Sequence, residues 1–127
     1  MTLDNSLPTS VELQILRILW EHGPSPVRVI HSRLHAEKGT NYSTTVKMLS
    51  VMLEKQLVTR DENCSPMVYR AAMTRGIAGR RMIRNLVEKV YDGVAMNLVV
   101  HALKESKPTD KELEAVRKLL DEMEKRK

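Results

Sequence analysis

The strongest constraint on this chain is an order of patterns: three stretches with apolar residues at helical spacing, then two short stretches of strand character around a polar turn. Thr9-Ser10-Val11-Glu12 opens the first as a capping box, in which the Thr hydroxyl takes a free backbone N–H and Glu12 reaches back. Leu13, Leu16, Leu19 and Trp20 share one helical face, and the stripe ends near His22-Gly23-Pro24. Ser25-Pro26 reads as an N-cap with proline at the first helical position. Val27, Ile30 and Leu34 are the buried face of this second helix, which stops around Lys38-Gly39. A third helix is predicted over 42–55. At about 100° per residue, Tyr42, Thr45, Val46, Leu49, Met52 and Leu53 fall on its buried side, and Ser43, Thr44, Lys47, Val51 and Glu54 on its outer side. Leu57-Val58-Thr59-Arg60 and Met67-Val68-Tyr69-Arg70 then read as strands around the turn 61–66. Three helices followed by a β-hairpin is the order of a winged helix.

The remainder reads as helix again, over about 76–92 and then through a shorter segment carrying Leu98, Val99 and Leu103, until Pro108 breaks it. Thr109-Asp110-Lys111-Glu112 is a second capping box, opening a last helix with a narrow apolar stripe between charged flanks. These helices have little chain around them to build a core of their own, and a second copy is the simplest cover for their stripes. The residues expected at such a dimer contact are Leu86, Val90, Leu98, Leu103, Leu113, Val116, Leu120 and Met123. The alternative is an arm that folds back on its own winged helix as one monomeric core. The expected fold is therefore mainly α with a small β-hairpin wing: a winged helix-turn-helix over 1–73, then a helical dimerisation domain over 74–127.

A chain of 127 residues excludes a large multi-domain enzyme, and 42% apolar against 29% charged residues is enough for a packed core. No Phe and eight Met favour helices over a β-sandwich. The net charge of +5 suggests a polyanionic partner, but its placement matters. There are 8 Lys and Arg against 7 Asp and Glu through residue 73, and 13 against 9 after it. The densest run, Arg75, Arg80, Arg81 and Arg84, fits either a phosphate track or the solvated face of a helix, and charge alone favours the latter. A single cysteine, Cys64, excludes an intrachain disulfide and a Cys-based zinc site. With neither a signal peptide nor a spanning helix in view, a cytoplasmic protein is expected.

A helix that reads duplex DNA needs short side chains, or long ones with donors, at its N-terminal end, where base edges and phosphates are met first. Asn41, Tyr42, Ser43, Thr44 and Lys47 satisfy that requirement. A Ser/Thr-rich first turn is also what ordinary capping looks like, so the element order carries the inference. His31 and His35 stand four apart on the second helix, the spacing at which two imidazoles can share a metal. No Glu follows the first and no third ligand is near in sequence, so they read as surface histidines and no metal site is assigned. No Gly-rich phosphate loop, carboxylate pair or Ser/His/Asp set can be assembled, so neither an enzyme nor a cofactor is expected. Cys64 follows two acidic residues with no cation beside it in sequence, and an incidental thiol is preferred to a redox sensor.

The stretches Leu7-Pro8-Thr9 to Leu19-Trp20, Val27-Arg28, Tyr42-Ser43-Thr44-Thr45-Val46, Met48-Leu49, Glu54-Lys55-Gln56-Leu57-Val58-Thr59-Arg60 and Tyr69-Arg70 carry a resemblance. The chain resembles the penicillinase and methicillin-resistance repressor family of bacterial winged-helix transcriptional regulators, closely over about the first 73 residues and in layout beyond. The resemblance implies a cytoplasmic homodimer on a palindromic operator, repressing a nearby promoter, with the helix from Tyr42 as recognition helix and 61–66 as wing tip. It also implies release by a membrane sensor protease system or by another signal, with no membrane insertion of this chain. The candidate DNA-binding set is Arg28, Asn41, Tyr42, Ser43, Thr44, Lys47, Arg60 and Arg70. Where the family often has Arg and Gly, in the recognition helix and the turn after it, this chain has Val51 and Gln56. Where the best-known members carry a cleaved Asn–Phe bond, this chain has His101-Ala102, and it lacks the C-terminal cysteine cluster of a copper-responsive branch. The competing reading is a protein–protein adaptor built on a winged-helix scaffold, since a fold does not fix a function.

Overall fold

The structure, a computed structural model, describes residues 7–127, apart from the side chains of Glu37 and Lys38. The elements run α1 (Ser10–His22), α2 (Val27–Lys38), α3 (Tyr42–Glu54), β1 (Val58–Asp61), β2 (Val68–Ala71), α4 (Arg75–Val90), α5 (Ala95–Ser106) and α6 (Asp110–Lys125). The chain divides into two compact units, one ending at Asn85 and the other running from Leu86 to Lys127, with α4 crossing the boundary.

In the first unit α1 begins as expected. The Thr9 hydroxyl accepts from the Glu12 N–H, and the Glu12 carboxylate accepts from the Thr9 N–H at 2.9 Å. The same carboxylate oxygen lies 2.7 Å from Lys55 Nζ, so one buried acid caps α1 and ties it to the end of α3. Burial of a lone carboxylate would be unfavourable; the cap and the ammonium together compensate it. Ile15 and Ile18 join Leu16 and Leu19 in the core. Two adjacent pairs widen the stripe beyond the narrow spacing read from the sequence, because α1 is contacted from two sides, by α2 and by β2. Leu13 and Trp20 are only half-buried.

The start of α2 differs from the expectation. Pro26 is the N-cap and Val27 the first helical residue, while the Ser25 hydroxyl donates to the Gly23 carbonyl instead of capping. The reason is that the Ser25 backbone is occupied elsewhere: its N–H and C=O pair with Tyr69 at 3.1 and 2.8 Å, an antiparallel bridge that adds a third, one-residue rung beside β1 and β2. The hairpin pairs Val58 with Ala71 through Asp61 with Val68, and Ala72 N–H extends it to the Leu57 carbonyl.

The turn from α3 into β1 is a Schellman motif. The Gln56 N–H reaches the Leu53 carbonyl, the Leu57 N–H reaches the Met52 carbonyl, and Gln56 sits at φ 63°. This left-handed position is one where glycine is favoured, and here a glutamine holds it. Leu57 is thereby delivered into the core, where Ile15, Leu16, Ile30, Leu34, Leu49 and Met52 are fully buried. Each such side chain contributes about 1.5–3 kcal/mol by leaving water.

The second unit is helical. After α4, Asp92 and Gly93 both take positive φ, and Val94 leads into α5. Tyr91 and His101 meet edge to face, the phenol oxygen 2.8 Å from His101 Nδ1. The Thr109 and Glu112 capping box opens α6 as read from the sequence. Neither α5 nor α6 contains a buried residue. No helix among the described residues is long and apolar enough to cross a membrane.

Candidate nucleic-acid interface

The first turn of α3 is organised around one oxygen. Asn41, the N-cap, accepts at Oδ1 from the Thr44 N–H at 2.9 Å, from the Thr44 hydroxyl at 2.8 Å and from the Ser43 hydroxyl at 3.0 Å. Three donors saturate that carbonyl, which leaves the Asn41 amide NH2 as its outward-facing function. The two hydroxyls, having given their protons inward, are left as acceptors, and the Thr44 methyl as an apolar contact. Asn41, Ser43, Thr44 and Lys47 are all exposed, and among the described residues Lys47 makes no ion pair. The edge of α3 therefore presents amide donors, hydroxyl acceptors, a methyl and an ammonium.

The division of α3 into two sides needs one correction. Thr45, Leu49 and Met52 are fully buried, and Met48 and Leu53 pack beside them. Tyr42 and Val46, placed on the buried side by angle, are 41% and 43% exposed. An angular sector says which residues share a face but not how far the neighbouring helix extends along it. The core ends one turn short of the N-terminus of α3, where Tyr42 lies against α2 instead: its ring meets His31 edge-on at 5.3 Å, and the Arg28 guanidinium lies 5.8 Å from its centroid. Pro26, Val29, Tyr42, Pro66, Met67 and Tyr69 line an apolar groove of about 600 Å3 that runs from the start of α2 to the wing tip. Arg28 is thus placed beside the α3 N-terminus and the wing.

The two wing arginines are paired within the wing. Arg60 contacts Glu62 at 2.9 Å, and Arg70 contacts Asp61 at 3.5 Å. Arg60 is raised above the ordinary arginine value by hydrogen bonding to Tyr69 and to Glu62 and by the charge of Glu62. The Asp61 carboxyl is held below the usual aspartate range, first by the Asn63 backbone N–H and then by Cys64 and Arg70. The sequence places both arginines in the candidate DNA-binding set, and in the fold each shares its charge with an acid from the same hairpin. Cross-strand register, which sets Arg70 opposite Thr59 and so diagonal to Asp61, is not visible in residue spacing alone.

The Arg75 to Arg84 run is exposed along α4. Arg75 lies 5.4 Å from the centroid of the Trp20 ring, whose indole N–H donates to the Met73 carbonyl. A structural role thus accounts for its position. Of the residues expected at the dimer contact, Leu98, Leu103, Leu113 and Val116 are half-buried. Leu86, Val90, Leu120 and Met123 stand exposed. The site features missed by sequence reading are the Glu12 and Lys55 pair behind α3, the acidic partners of the wing arginines, and the left-handed Gln56.

A family model described as Penicillinase repressor matches residues 8–122 of the chain, both units included. No curated protein matches it.

Proposed function

Starting from a chain that belongs to the penicillinase repressor family, we propose that this DNA-binding transcriptional repressor works in the cytoplasm as a homodimer on a palindromic operator, with α3 in the major groove. The observation that carries the reading is the free first turn of α3. Its cap is satisfied from within, so Thr44 and Ser43 meet a base edge as acceptors and Thr44 also as a methyl, while Asn41 offers amide hydrogens and Lys47 a cation one turn on. These are the functions that read base edges and anchor phosphates. Arg28, beside Tyr42, extends the contact to the backbone, and Arg60 and Arg70 follow when phosphate replaces Glu62 and Asp61 as their partner.

In this reading residues 1–73 read DNA and residues 74–127 join the subunits. Exposed apolar side chains on α4, α5 and α6, among them Val90, Met96, Leu119 and Leu120, are the surface a second copy covers. Two-fold symmetry of the protein then matches two half-sites. Release follows from separating the subunits, either by proteolysis within residues 74–127 or by another signal acting on the same surface.

The test is fluorescence anisotropy on DNA from the region upstream of the protein's own gene, repeated at rising salt. Displaced counterions should make affinity fall steeply and linearly on a log–log scale. Lys47→Ala should lower that slope by about one unit if the ammonium meets a phosphate, or change the preferred base if it meets a base edge. Thr44→Ala should relax preference at one base pair by about 1–3 kcal/mol. Binding that ignores salt, or variants that bind like the parent chain, would remove α3 as the reader and leave the adaptor reading.

A further inference from the structure

His31 and His35 lie one turn apart on α2, their ring centroids 5.6 Å apart and their planes tilted by 34°. Each ring has one nitrogen already held by an oxygen. His35 Nδ1 is 2.9 Å from the Thr40 carbonyl oxygen. A carbonyl only accepts, so in the neutral ring Nδ1 carries the hydrogen and Nε2 keeps its lone pair. His31 Nδ1 is 2.9 Å from Thr45 Oγ1, and that hydroxyl is directed at the Asn41 backbone carbonyl at 3.4 Å. With the Thr45 proton pointing there, Oγ1 accepts from His31 Nδ1–H, and His31 likewise keeps its lone pair on Nε2. In their neutral form the two imidazoles thus share one tautomer, both anchored through Nδ1–H to oxygens from the α2–α3 joint.

We propose that the Nε2 atoms of His31 and His35 form an open binding site for a divalent transition-metal ion of the kind imidazole prefers, such as Cu2+, Ni2+ or Zn2+. Metal-bound histidines characteristically give their other N–H to a carbonyl or similar acceptor, which fixes the tautomer and orients the ring, and both rings here are already held in that way. The spacing also agrees: metal–nitrogen bonds of about 2.0–2.1 Å at roughly tetrahedral or right angles place two ring centroids about 5 Å apart, a small rotation from the separation seen. Among the described residues no third His, Cys, Asp or Glu completes a cluster, so water fills the remaining positions. The neighbouring cation, Arg28, is held over the Tyr42 ring. For such an open nitrogen site Cu2+ binds most tightly of the three. The ion would act at the joint: Thr40 immediately precedes the α3 cap, and Thr45 lies in its first turn, so fixing both rings stiffens the connection that orients α3. The site stands whether or not α3 reads DNA.

The experiment is a titration of the metal-free full chain with Ni2+ and with Cu2+ by calorimetry, without DNA, alongside 15N NMR of the imidazole nitrogens at pH above the usual histidine range. One ion per chain should bind, perturbing the Nε2 signals of His31 and His35 together. His31→Ala and His35→Ala should each weaken binding about tenfold or more, while His101→Ala and Cys64→Ser leave it unchanged. Circular dichroism checks that each variant keeps its helix content. His35 is exposed, so His35→Ala reads the site even if His31→Ala does not fold. No binding up to millimolar metal overturns the proposal, as does affinity unchanged in His35→Ala or lost in the His101 or Cys64 variant.

Discussion

The two units of this protein treat apolar side chains in opposite ways. In the first, α1, α2, α3 and the hairpin converge on side chains that are fully out of water, such as Ile15, Leu34 and Leu49. In the second, α5 and α6 contain no buried residue, and Leu119, Leu120 and Met123 are each about half exposed. The sequences of the two regions are comparably apolar in pattern, so the difference lies in geometry. Three helices and a hairpin approach a common centre from several directions, whereas the terminal helices of one chain leave a side of each stripe uncovered. A unit of the first kind closes its own core; one of the second kind calls for another surface.

That comparison is open to direct disruption. The largest expected effect is in the first unit: Leu49→Ala leaves a cavity in a filled core and should cost about 2–5 kcal/mol, read as a fall in urea midpoint. Oligomeric state at concentrations where the protein stays folded should not change. The same logic applied to α6 gives a different readout. Leu120→Asp should separate the subunits in sedimentation, because a carboxylate facing apolar surface costs roughly 2 kcal/mol or more unless it is paired, while the melting of the first unit stays where it was. A parent chain that is already monomeric at micromolar concentration, or a dimeric variant, would end the contrast between the units.

Smaller effects sharpen the first unit's side of the comparison. Asn41→Ala removes the acceptor of three hydrogen bonds at the α3 cap and should cost about 1 kcal/mol of stability in thermal melts. Gln56→Gly relieves a side chain at φ 63° but loosens the unfolded chain, so a net gain of about 0.5–1 kcal/mol is expected. A loss there would mean that the glutamine side chain holds the turn. The smallest effect is in the wing. The folded state lowers the Asp61 carboxyl, so its stabilising contribution is present above the ordinary aspartate range and disappears as pH falls through the lowered value. Asp61→Asn should flatten that acid-side dependence in NMR of the Arg70 and Asn63 signals without moving the core resonances.

Much of the local structure was written into short sequence signals. Both capping boxes form where Thr9 with Glu12 and Thr109 with Glu112 predict them, because each satisfies backbone groups within four residues. The element order, with the hairpin after three helices, also follows from periodicity and the polar turn at 61–66. The candidate reading edge was legible in part: Asn41 to Lys47 were identified by type, but the single oxygen that binds Ser43 and Thr44 inward, and so sets what they offer outward, was not.

The sequence by itself determined which segments become helices and strands, where the capping boxes open α1 and α6, and which family pattern they follow, since these depend on neighbours a few residues apart. Tertiary structure alone decided the rest. Lys55 meets Glu12 across 43 residues, Ser25 becomes a strand rung opposite Tyr69 instead of a helix cap, and Tyr42 stays at the surface because the core ends beneath it. Arg70 pairs with Asp61 across the hairpin, and His31 Nδ1 meets a threonine hydroxyl on the next helix. Each of these depends on two distant segments arriving at the same place, and no local pattern encodes where a distant segment will be.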